Sequence, residues 1–211
     1  MTASDLIRPT TYLITSGQLN KDNFAQQGRR LLATIRLAVE LGVSMVQVRE
    51  KQLSGRLLCE FIATAADITR DSATKLLVND RADIAAASGA DGVHLTARSM
   101  PAAVIRNCFP DLMIGVSTHS LEDVREAATA NADFVVFGPV FDTAGKSGVG
   151  SDALAAVCKE VPNIRVLAIG GIDQSNLDQV LSAGAAGFAA IRAMNDAGKL
   201  RAIMAQINAD H

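Results

Sequence analysis

The sequence predicts an α/β fold, a single-domain (β/α)8 barrel occupying residues 1–211. Three observations carry this expectation. Short apolar segments alternate with helix-like ones eight times along 211 residues, a length that suits one domain with a sizeable core. The short segments are nearly continuous in apolar character, as strands of a parallel sheet covered on both faces are. Glycines that end a helix and precede a strand recur at Gly42, Gly89 and Gly184, the first two 47 residues apart, a fitting span for two βα units. The alternative is an open doubly wound sheet, which is disfavoured because no G-x-G-x-x-G follows the first strand.

Taken in order, Thr11 to Thr15 reads as the first strand, and Asn23 to Leu41 as a helix with Leu31, Ile35, Ala38 and Val39 on one face. Ser44 to Val48, Lys75 to Val78 and Gly92 to Leu95 read as strands 2 to 4, with helices over Leu57 to Ile68 and Asp83 to Ser88 between them. Pro101 suits the first turn of a helix ending at Cys108, and Leu112 to Val116 is strand 5. Ser120 is placed to cap Leu121 to Ala130, with Glu122 and Asp123 in the first turn where the helix dipole favours acids. Strand 6 is Phe134 to Phe137, helix 6 Asp152 to Glu160 and strand 7 Arg165 to Ile169. Asn176 to Ser182, Phe188 to Ile191 and Leu200 to Ile207 complete the alternation. Asp173, after the glycine pair, reads as a helix cap.

Composition narrows the function classes. Lys and Arg number 20 against 22 Asp and Glu, so no basic excess points to nucleic acid. No apolar run is long enough to span a membrane, and Met1 to Pro9 is polar with no secretory core. The three cysteines, Cys59, Cys108 and Cys158, are scattered and free of C-x-x-C spacing, which argues against a disulfide framework or a zinc site. A reduced, cytoplasmic protein acting on phosphorylated small molecules is expected, and a homo-oligomer is compatible with the sequence.

In a barrel of this kind chemistry lies at the C-terminal ends of the strands. Reading off those ends gives Gln47, Arg49 and Lys51, then Asn79 and Asp80, His94 and Ser99, Ser117 and His119, Thr143 and Lys146, and Gly170 with Gly171. Period 2 puts Gln47, Arg49 and Lys51 on one face of an extended segment. With Lys146 they supply three cations for an oligophosphate, and Asn79-Asp80 could hold a Mg²⁺ bridging its oxygens. Gly170 and Gly171 let the backbone approach an anion closely at the start of a helix. Gly138, Gly145, Gly148 and Gly150 suggest a pliant lid carrying Lys146. Each feature also has a plainer reading: Arg49-Glu50-Lys51 as a solvated run, Asp80 as a helix cap, His94 as a satisfied core histidine.

Seven segments in order resemble the thiamine phosphate synthase family over nearly the whole chain. They are Y-x-I-T (Tyr12, Ile14, Thr15), Q-x-R-x-K (Gln47, Arg49, Lys51), N-D-R-x-D-x-A (Asn79 to Ala85), D-G-V-H-L (Asp91 to Leu95), G-V-S-T-H-S (Gly115 to Ser120), G-P-V-F-x-T-x-x-K (Gly138 to Lys146) and A-I-G-G-I (Ala168 to Ile172). The resemblance implies a barrel enzyme that joins hydroxymethylpyrimidine diphosphate to a thiazole phosphate and releases pyrophosphate, with Mg²⁺ as cofactor. Carried over, Gln47, Asn79 and Ser117 hold the aminopyrimidine; Arg49, Lys51 and Lys146 bind the diphosphate. Asp80 ligates Mg²⁺, Thr143 belongs to the substrate loop, and Gly170-Gly171 hold the thiazole phosphate.

Three departures stand out: Ser99 where the family has a second metal-binding aspartate, Gly145 in place of a second threonine, and Arg192 in place of a phosphate-binding serine. Arg192 is itself a strong phosphate ligand. The departures leave open a thiazole tautomerase using His119 as acid/base, or a non-catalytic paralogue that binds phosphorylated ligands. An aldolase using Lys146 as a Schiff base would need that lysine in apolar surroundings, and its neighbours are glycines and polar residues.

Overall fold

The structure, a computed structural model, describes residues 8–209; of the polar segment Met1 to Pro9, read above as lacking a secretory core, residues 1–7 lie outside them. Strands and helices alternate without exception: β1 (Thr10–Ile14), α1 (Phe24–Glu40), β2 (Met45–Val48), α2 (Gly55–Thr69), β3 (Lys75–Asn79), α3 (Ala82–Ser88), β4 (Gly92–Leu95) and α4 (Ala102–Cys108). There follow β5 (Met113–Thr118), α5 (Leu121–Thr129), β6 (Phe134–Phe137), α6 (Ser151–Glu160), β7 (Arg165–Ile169), α7 (Leu177–Ser182), β8 (Gly187–Ala190) and α8 (Ala197–Ala209). All strands pair in parallel, and β1 pairs with β8 to close the barrel. Among the described residues no helix is long and apolar enough to cross a membrane.

Boundaries move where a side chain or register takes over from local preference. Ser117 and Thr118 extend β5 because they pair with Val136 and Phe137, and Asn79 joins β3 by pairing with His94. The last strand runs Gly187–Ala190 rather than to Ile191, since Ile191 carbonyl accepts from the Asn195 amide and starts a turn. Pro101 is not in the first turn of α4 but just outside it, at ψ 140°. Asp173 does not cap α7. It closes a tight turn by accepting from Ser175, and Asn176 stands at the helix boundary instead. Ser120 does cap α5, in a reciprocal box with Asp123.

The larger core lies between the barrel and its helices, and a smaller one fills the barrel itself. That inner core includes Tyr12, Met45, Leu77, Phe134 and Leu167, so the barrel is packed at its base rather than hollow. Phe134 lies over Gly115, where any side chain would collide with its ring. Above this layer the inward residues turn polar: Gln47, Asn79 and His94 are all buried.

Glu50 was grouped above with a solvated charge run, yet it is 3% exposed. Its carboxylate accepts from Thr15 Oγ1 at 2.6 Å, Gly17 N at 3.1 Å and Leu19 N at 2.7 Å. Thr15 Oγ1 in turn accepts from the Arg49 amide at 2.8 Å. One buried carboxylate thus ties the loop after β1 to the segment that carries Arg49 and Lys51. Removing it strands two amides and a hydroxyl. Glu50→Ala is expected to lower stability by about 2–3 kcal/mol in urea unfolding, and a change below about 0.5 kcal/mol would contradict this role.

Candidate active site

The C-terminal strand ends surround a cavity of about 1040 Å³, large enough for more than one small molecule. Gln47, Arg49, Lys51, Asn79, Ser117, His119, Thr143, Lys146, Gly170, Gly171 and Arg192 all line it. Asp80 does not: it is exposed on the rim, its backbone in the left-handed region at φ 65° and its amide bonded to His94 carbonyl at 2.9 Å. Nor does Ser99 face the cavity. Its hydroxyl accepts from Thr96 N at 2.8 Å and closes its own loop.

Two cavity cations had no motif to mark them, Arg98 and Lys199. Six cationic side chains therefore face this space, Arg49, Lys51, Arg98, Lys146, Arg192 and Lys199, against the carboxylates Asp142 and Asp173. None of the six is in a salt bridge among the described residues. Such an excess at a concave surface concentrates anions and stabilises developing negative charge.

The floor is a donor–acceptor array. Gln47 Nε2 donates to Asn79 Oδ1 at 3.2 Å, which leaves Gln47 Oε1 buried with no partner in the protein. Asn79 still has its amide hydrogens to offer. An orphaned acceptor beside an amide donor suits a ligand edge carrying an amine next to a ring nitrogen, because a buried polar atom without a partner is costly. His94, 2% exposed, bridges Tyr12 Oη (3.3 Å from Nδ1) and Ser117 Oγ (2.9 Å from Nε2). Burial, and then the Arg49 guanidinium, push its pKa down to about 3, so the ring is neutral. It is at once a satisfied buried histidine and part of the cavity wall.

On the other side of the mouth, Gly170 and Gly171 take φ of 101° and 64°. A side chain at Gly170 would meet Pro139 at 2.5 Å, and one at Gly171 would meet Asp142 and Phe141 at 2.8 Å, so only glycine allows this packing. The amides of Gly171, Ile172, Arg192 and Ala193 donate to no acceptor among the described residues. With Arg192 they form a concave set of donors of the kind that binds phosphate.

The loop bearing Lys146 is firmer than its glycines suggest. Val149 and Gly150 amides donate to Pro139 and Val140 carbonyls, both at 2.9 Å, and Gly148 N donates to Asp142 Oδ1 at 2.8 Å. Only the turn between Thr143 and Lys146, closed by reciprocal backbone bonds, projects freely. His119 donates Nδ1–H to Gly138 carbonyl, which leaves Nε2 as the ring nitrogen without a partner among the described residues.

Residues 11–194 match the sequence profile described as thiamine monophosphate synthase. The chain belongs to this family. A thiamine-phosphate synthase of Chloroflexus aurantiacus is 35% identical, covering 99% of this chain and 95% of its own. One from Chlorobium phaeovibrioides is 39% identical, over 89% and 87%. Among solved structures, a thiamine phosphate pyrophosphorylase from Pyrococcus furiosus superposes with a TM-score of 0.80 at 33% identity, covering 95% of this chain and 97% of that one.

The neutral His94 has a consequence for stability. Between about pH 6.5 and 3 the unfolded chain binds a proton at this histidine that the folded chain refuses, so its contribution to stability is lost as pH falls through that window. His94→Gln is expected to remove this part of the acid dependence. Thermal midpoints measured against pH for parent and variant should converge toward acid, and parallel curves would contradict a neutral His94.

Proposed function

We propose that the protein is a thiamine phosphate synthase, joining hydroxymethylpyrimidine diphosphate to a thiazole phosphate with release of pyrophosphate. The observation that carries this reading is the pairing, within one cavity, of an orphaned Gln47 acceptor beside Asn79 with an excess of unpaired cations. Gln47 Oε1 accepts from the pyrimidine amine and Asn79 donates to the adjacent ring nitrogen. Arg49, Lys51 and Lys146 take the diphosphate. Gly170, Gly171 and Arg192 take the thiazole phosphate, with Thr143 on the loop between.

The reaction needs little acid or base. The bond from the pyrimidine methylene to the diphosphate oxygen breaks, the electron pair leaving with pyrophosphate. The thiazole nitrogen then forms the new bond to that methylene carbon. Stabilising the departing charge is the main demand, and fixed cations meet it without reorganisation. Arg49 is held for this by Glu50 and Thr15, as described above.

No cluster of three or more metal-ligating side chains occurs among the described residues. Asp80, which follows Asn79 and stands at the rim rather than in the cavity lining, is the carboxylate that would hold Mg²⁺. When bound, it would supply further neutralisation of the leaving pyrophosphate.

The test is synthesis itself. Purified protein given both substrates and Mg²⁺ should release thiamine phosphate and pyrophosphate in equal amounts. Asp80→Asn should abolish coupling while leaving thiazole-phosphate binding intact. Full turnover by Asp80→Asn, or by the parent in excess chelator, would contradict the metal assignment; isomerisation of a thiazole phosphate without coupling would contradict the synthase reading.

A further inference from the structure

Behind the cavity wall lies Tyr12, wholly buried in the barrel interior and absent from the cavity lining. Its ring packs edge-on against Phe134, centroids 5.6 Å apart at 81°. Among the described residues its hydroxyl has one hydrogen-bond partner, His94 Nδ1 at 3.3 Å. On the far side of the same imidazole, Nε2 lies 2.9 Å from Ser117 Oγ, and Ser117 has no other side-chain partner. Three groups on β1, β4 and β5 thus form a chain from the core to the cavity.

The direction of the chain follows from counting protons. A neutral imidazole carries one N–H, on either nitrogen. Were it on Nδ1, the phenol would have to accept, and its own proton would be buried with no acceptor. With the proton on Nε2, the phenol donates to Nδ1, Nε2–H donates to Ser117 Oγ, and every buried proton has an acceptor. We infer that Tyr12 is a positioning residue that fixes His94 as the Nε2–H tautomer and thereby obliges Ser117 to present its own O–H to the cavity as a hydrogen-bond donor. The ligand atom that receives this O–H is then an acceptor, a ring nitrogen or a phosphate oxygen.

This assignment rests on the synthase reading for its consequence but not for its geometry, and the two are tested apart. Protein labelled with ¹⁵N-histidine, without substrate, should show His94 with Nε2 protonated and Nδ1 bare, the resonance being assigned with His94→Gln. Tyr12→Phe should take away the donor to Nδ1 and shift the Nδ1 resonance toward that of an unbonded imine nitrogen. A parent ring protonated on Nδ1, or an Nδ1 resonance unmoved by Tyr12→Phe, overturns the inference whether or not the protein couples its substrates.

In the coupling assay Tyr12→Phe should lower kcat by about tenfold, the scale of one hydrogen bond, with thiazole-phosphate affinity unchanged. His94→Gln keeps an oxygen to accept from Tyr12 and an N–H to donate to Ser117, so it should retain most of the activity that His94→Leu loses. Equal losses in the Gln and Leu variants would overturn the positioning role and assign His94 chemistry that an amide cannot supply.

Discussion

Pairing of β1 with β8, Thr10 opposite Gly187 through Leu13 opposite Ala190, closes the sheet and brings its strand ends into a ring. Residues separated by more than a hundred positions in the chain become neighbours through that closure, as when Asn195 Nδ2 donates to Ile14 carbonyl at 2.8 Å. Close approach has local requirements. Gly187 leaves room for the Thr10 backbone, and Gly92 leaves room for Met113. The barrel base is then sealed by Tyr12, Phe134 and Leu167, so only the C-terminal rim is hollow and polar.

Within that rim two kinds of preorganisation are set side by side. Cations on the loops after β2, β4, β6 and β8 converge without carboxylate partners, a state that is electrostatically unfavourable until an anion arrives. Buried side-chain amides and a neutral imidazole form the floor, where desolvation makes each unpaired atom selective for its complement. The first set attracts anions in general. The second distinguishes among them.

Much of this was legible in the chain. The apolar runs and helix-ending glycines located all eight βα units, because parallel strands buried on both faces leave little choice of side chain. Polar residues at the ends of such strands, Gln47, Asn79, His94 and Ser117, stood out against their apolar neighbours for the same reason. What stayed hidden were long-range partnerships. Glu50 looked solvated because its three hydrogen-bond donors come from the loop after β1. Tyr12 had no role in the sequence beyond its place in the first-strand motif, because its partner lies 82 residues away. Arg98 and Lys199 sit in no distinctive local pattern, and their place in the cavity follows only from closure. Asp80 and Ser99 were read as strand-end candidates, but with a left-handed turn at one and a hydroxyl-capped loop at the other neither lines the cavity.

The central claim is that the polar floor and the cationic rim are two halves of one substrate site. A crystal structure of the protein with hydroxymethylpyrimidine, pyrophosphate and Mg²⁺ tests it most directly. The pyrimidine amine should lie at hydrogen-bond distance from Gln47 Oε1, with a ring nitrogen on Asn79, and the pyrophosphate against Arg49 and Lys51 in the same cavity. A pyrimidine ring bound away from Gln47, or a pyrophosphate bound outside this cavity, would contradict it.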